Sequence, residues 1–176
     1  MKKITLISAL FFLFTIVSCS NKEKKLQTKI DANVKEFKDS KNAARKNELR
    51  PLILTDIDTF VKEFPSNEKS ALYLFSASEI TIESMEIDKS VAYLKMLCEK
   101  YPKFEKAPDA LLNLGILSDS KGDVENAKKY YSEFIDKYPT HKNINVAKEA
   151  LALVGKDVDE MVRQFEAKSD SLEAKK

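Results

Sequence analysis

Apolar residues along this chain recur at spacings of three and four and nowhere alternate over any length, a pattern that predicts helices throughout. The pattern is sharpest before Pro139. Leu111, Leu114 and Leu117 mark one helix, and Ala127, Tyr130, Tyr131, Phe134 and Tyr138 mark the next. The polar stretch "SDSKGDVENA" separates them, with Gly122 placed as a left-handed stop and Asp123 as the following N-cap. Upstream, Ile57, Phe60, Val61 and Phe64 form a further stripe, and Leu26, Ile30, Val34 and Phe37 a sparser one. Downstream, Val158, Met161, Val162 and Phe165 share one face of a short helix whose other face is charged.

The stripes repeat. Phe64-Pro65, Tyr101-Pro102 and Tyr138-Pro139 punctuate the chain at intervals of 37 residues. A shift of 37 also superimposes Glu68 on Glu105, Leu74 on Leu111, Tyr93 on Tyr130 and Lys100 on Lys137. A period in this range is the mark of a repeat architecture in which each unit is one helical pair. Each proline opens the connection to the next unit because it cannot continue the preceding helix.

These residues resemble a tetratricopeptide repeat. Leu111, Leu114, Gly115, Ala127, Tyr131, Phe134 and Pro139 fall at that family's spacings, with Phe134 where a small residue is usual. The preceding period is a weaker match, with Leu74, Ala77, Ser78, Ser90, Leu94, Leu97 and Pro102 at those places. A third begins with Ala147, Leu151 and Ala152 and departs at Gly155. The Tyr-Pro ending is similar to a subgroup of periplasmic proteins, including the Tol-Pal cell-division coordinator and the assembly lipoprotein of the outer-membrane β-barrel machine. The expected fold is all-α, a TPR-like α-solenoid of antiparallel helix pairs with about two full repeats and flanking half-repeats.

A glycine inside a helix costs about 1 kcal/mol relative to alanine, so Gly115 asks for a compensating close approach. Small residues at Gly115 and Ala127, and at Ser78 and Ser90, let paired helices meet while Leu74, Leu94, Leu111, Leu114, Tyr131 and Phe134 fill the flanks. One pair cannot bury its apolar face alone, so the units stack.

The N-terminus reads differently. "MKKITLISALFFLFTIVSC" carries two lysines and a 14-residue apolar run from Ile4 to Val17, the form of a secretory signal. The run is shorter than the roughly 20 residues of a spanning helix. Ile16, Val17, Ser18 and Cys19 resemble the lipobox of bacterial lipoproteins, which implies lipidation of Cys19 and cleavage before it; an ordinary cleaved signal is the alternative. In such lipoproteins an Asp after the cysteine favours inner-membrane retention, and here Ser20 follows. The expected location is the outer membrane, lipid-anchored and periplasm-facing. Expected boundaries are residues 1–18 for the signal, 19–48 for a lipid-anchored basic tether, partly helical, 49–168 for the repeat domain and 169–176 for a frayed tail.

Charge is segregated. Residues 22–50 carry ten Lys/Arg against five Asp/Glu, net +5, and residues 51–176 carry 18 against 23, net −5. The basic stretch suits a tether in solvent or against an anionic membrane. It is not interleaved with stacking aromatics, so nucleic acid is not an expected partner. With Cys19 acylated, Cys98 is the one remaining thiol and reads as a small buried hydrophobe.

No grouping for catalysis stands out. His141 is the sole histidine and sits in the loop "YPTHKN", which leaves no zinc pair and no Ser-His-Asp set of usable form. "SDSKGDVEN" lacks EF-hand spacing, no phosphate loop occurs, and Glu79, Glu83 and Glu86 read as a solvated face. No cofactor, metal or small-molecule substrate is expected, and an enzyme with an unrecognised site is the minor alternative. The family resemblance implies a concave groove lined by the first helix of each unit, here Leu72, Phe75, Glu79, Ile82, Glu83, Asp109, Leu112, Ile116 and Asp119. Apolar residues among carboxylates suit a protein or peptide partner with hydrophobic anchors and Lys or Arg. Two readings of the groove stay open: a binding surface, or a face filled by flanking helices. The expected function is a membrane-anchored periplasmic scaffold for protein–protein interaction, with an outer-membrane protein assembly factor as the alternative.

Overall fold

A computed structural model describes residues 2–156 and 162–163, with residues 2–20 described in their backbone only. The described residues are all-α, as expected, and run α1 (Lys2–Asp39), α2 (Ala43–Glu63), α3 (Lys69–Glu83), α4 (Ile87–Lys100), α5 (Ala107–Ser120), α6 (Val124–Lys137) and α7 (Ile144–Leu153). They fall into two compact units divided between Phe104 and Glu105. Val158, Met161, Phe165 and the tail from 169 to 176, read above as a cap and a frayed end, lie outside the described residues.

The aromatic-proline dipeptides make one turn three times over. Phe64, Tyr101 and Tyr138 each close their helix with φ/ψ near −126/54, −129/53 and −130/54. Each backbone N–H reaches back four residues, to Phe60 O, Leu97 O and Phe134 O, at 2.8, 2.8 and 2.9 Å. Each carbonyl then accepts from the residue three further on, Asn67, Phe104 and His141, at 3.0 Å. The proline sits inside this bend with no N–H to leave unpaired.

In the first unit, α1 pairs with α2 and α3 with α4. Ile30 and Phe37 on α1 and Leu49, Ile53, Ile57 and Phe60 on α2 are essentially inaccessible to solvent. The stretch expected as a basic tether, partly helical, is helical as far as Asp39 and packs through Ile30 and Phe37, and α2 crosses the expected boundary at 48. The sparse stripe at Ile30 and Phe37 is enough because long cationic side chains complete the interface. Lys29 Nζ lies 3.0 and 2.9 Å from the two oxygens of buried Asp56, and Lys46 Nζ sits 4.9 Å from the Phe37 ring centroid. Asn42 caps α2 by accepting from Arg45 N at 3.2 Å.

In the second unit, α5 and α6 form an antiparallel pair and α7 packs on α6. Gly122 takes φ +71°, and Asp123 accepts from Asn126 N at 3.2 Å to start α6. The equivalent turn of the first unit has Met85 where the 37-residue shift puts Gly122, and Met85 is forced to φ +61°.

Candidate interaction surface

The contact between paired helices is set by its smallest residues. A Cβ on Gly115 would stand 2.6 Å from the ring of Tyr131, so the α5–α6 distance requires a glycine there. Ala127 is wholly buried opposite, and Leu111, Leu114 and Phe134 fill the flanks. Between α3 and α4 the same places hold Ser78 and Ser90, both wholly buried, with Leu74 and Leu94 beside them. Their hydroxyls need partners in that setting. Ser78 Oγ donates to Phe75 O at 2.7 Å, and Ser90 Oγ lies 2.8 Å from Thr81 Oγ1, whose own proton goes to Ala77 O at 2.8 Å. Thr81 is a buried polar partner that the repeat pattern did not single out; its signal was the serine nine residues later.

Three tyrosines of these pairs, Tyr73, Tyr93 and Tyr131, are buried. Burial pushes Tyr131 up to about 12, with the charge of Asp119 adding to it. Tyr73 and Tyr93 are raised further, by burial first and then by the carboxylates of Asp31 and Asp58 respectively. Tyr73 Oη donates to Asp31 Oδ1 at 2.8 Å, while Lys69 Nζ takes the other oxygen at 2.6 Å.

The expected groove residues divide between the two units. In the first, Phe75 is buried, Ile82 is half-buried, and Glu79 and Glu83 are ion-paired to Lys38 at 2.9 Å and Lys46 at 2.6 Å. The carboxylates of α3 thus meet cations supplied by α1 and α2, which gives much of this stretch an internal occupant. Leu72, 38% exposed, stays open at the mouth of a cleft of about 360 Å³ shared with Val34, Lys35 and Ser76.

In the second unit, Leu112 is buried but Ile116 is 43% exposed, and Asp119 is exposed one turn along. Asp109 is half-buried with its Oδ1 3.8 Å from His141 Nε2. His141 itself is not a free loop side chain. Its ring packs edge-on against Phe134 at 5.3 Å, and its Nδ1 accepts from Asn143 N at 3.2 Å. Cys98 is half-buried rather than buried. Cys19 lies in α1 by its backbone, and its side chain is outside the described residues.

Among the described residues no group of three or more His, Cys, Asp or Glu is placed to hold a metal ion. Among them, too, no helix is long and apolar enough to cross a membrane.

Residues 109–141 match the family model for the tetratricopeptide repeat. The matched span takes in nearly all of α5, all of α6 and the aromatic-proline turn that follows. No curated protein matches the chain. Repeats of this family are typically non-catalytic elements for protein–protein contact, and the helix-pair geometry with its exposed α5 stripe supports an interaction scaffold.

Proposed function

We propose that this chain is a lipid-anchored scaffold of a bacterial envelope, facing the periplasm, that holds a partner protein through the α5 face. The observation that carries the reading is the repeat match at residues 109–141 together with the stripe it leaves open, Ile116 above Asp119. On α3 the carboxylates of the expected groove, Glu79 and Glu83, are already paired. A helical or extended peptide with one apolar anchor and a following Lys or Arg fits the open stripe. Cys19, after the apolar run, supplies the anchor, since each buried acyl CH₂ contributes about 0.8 kcal/mol of membrane affinity.

Two measurements test it. Labelled fatty acid should enter the wild-type protein and not Cys19→Ala, and a high-salt wash should strip the variant from membranes while the acylated protein stays. A photo-crosslinking side chain at Ile116 should capture a discrete partner that Asp119→Lys abolishes. Equal capture from exposed Lys128 on α6 would refute the assigned face.

A further inference from the structure

The two ends of the first unit differ in how their cations are used. At the end formed by the close of α1, the start of α2 and the α3–α4 turn, most cations are neutralised, with Lys35 and Lys41 the exposed exceptions among the described residues. Lys38 pairs with Glu79, Arg45 with Glu36, Lys46 with Glu83, and Arg50 and Lys89 with Glu86. The other end gathers the start of α1, the end of α2, the start of α3 and the end of α4. The Lys22–Glu63 pair, the Asn67–Glu23 hydrogen bond and the bond from Tyr101 Oη to Pro65 O at 2.8 Å tie these elements together. Here Lys24, Lys25, Lys62, Lys100 and Lys103 are exposed and make no ion pair among the described residues. Only Glu68 and Glu99 stand as uncommitted carboxylates among them. Between the two aromatic-proline turns at this end lies a cleft of about 500 Å³, floored by Pro65, Ala71, Pro102 and Phe104 and edged by Lys100 and Lys103.

This is also the end from which the anchor would leave. Lys22, three residues after Cys19, is already held to Glu63 at 2.7 Å, and the first buried side chain is Ile30. α1 is continuous there, and at about 1.5 Å of rise per residue those three positions span only about 5 Å. A lipid on Cys19 would therefore stand close to this end of the unit.

We infer that this lysine-bearing end of the first unit is a membrane-contact surface, which sets its free cations among anionic lipid headgroups and its apolar cleft at the headgroup boundary. The inference rests on the anchored reading for its geometry, but the surface carries its own affinity. Juxtamembrane lysines attract anionic headgroups over a Debye length, and apolar and aromatic residues settle at that depth.

The test uses the mature chain with Cys19→Ala, so that no acyl chain contributes. It should co-sediment with phosphatidylglycerol-containing vesicles and not with phosphatidylcholine vesicles. Lys100→Glu with Lys103→Glu should weaken that partition at least about tenfold. Lys35→Glu with Lys41→Glu, an equal change of charge away from this end, should weaken it far less. Helical circular dichroism and melting of both variants exclude unfolding as the cause. Loss of vesicle binding to the same degree in both pairs, or no preference for anionic vesicles, would overturn the surface. Acyl labelling of Cys19 reports on the anchor separately, so the two readings can fail independently.

Discussion

At Gly115 one added carbon meets the ring of Tyr131, and a larger side chain meets it harder. Gly115→Leu should lower stability by about 1–3 kcal/mol, the range for overpacking a well-filled contact, and the melting temperature will report it. Tyr131→Ala in the same chain should recover part of that loss, since the two substitutions act on one contact. Met85 is the opposite case. It holds φ +61° with 80% of its surface exposed, so its side chain contributes little packing to offset the left-handed backbone. Met85→Gly should raise stability by about 1 kcal/mol in denaturant titration. Both positions were open to reading in advance to different degrees. Gly115 declared itself by being a glycine among leucines, whereas Met85 shows its strain only when the chain is shifted by 37 residues onto Gly122.

Among the elements, α1 departs furthest from what its sequence suggests. Two buried apolar residues, Ile30 and Phe37, are a weak stripe by periodicity alone, and a net charge of +5 over residues 22–50 reads as solvated chain. The charges find partners far along the sequence, Lys29 with Asp56, Lys38 with Glu79 and Lys69 with Asp31, and such pairings leave no local pattern. Phe37→Ala should therefore cost about 3–5 kcal/mol, and hydrogen exchange should rise along α1 before α4. A tether would show neither effect. The helix ends were far more legible, because an aromatic residue, a proline, a glycine or an aspartate acts within four residues of itself.

For the molecule as a whole, three tyrosines set an alkaline limit. Burial and nearby carboxylates raise Tyr73, Tyr93 and Tyr131 above their ordinary value, Tyr131 to about 12. Below pH 10 these phenols are neutral folded or unfolded, and their contribution to stability is fully present. As pH climbs beyond that, the unfolded chain ionises first and the contribution falls away until the folded groups ionise too. Melting temperature should decline from about pH 10 upward, and Tyr73→Phe should flatten the decline. The division at Phe104 left no trace in the pattern, since the period of 37 runs through it unbroken. The candidate face was half legible. Phase along the repeat located Ile116 and Asp119, but only the fold revealed that Glu79 and Glu83 already have internal partners.

The three aromatic-proline bends share one backbone conformation to within a few degrees. A bend with the same local backbone each time lets segments be exchanged between such bends, much as standard couplings let a train take another carriage. A second copy of residues 102–138 spliced before Pro139 meets the same junction on both sides. The lengthened chain should gain two helices by circular dichroism and still melt cooperatively. In a scaffold built with such joints, reach is an adjustable quantity, and gene duplication can set it without redesigning any contact.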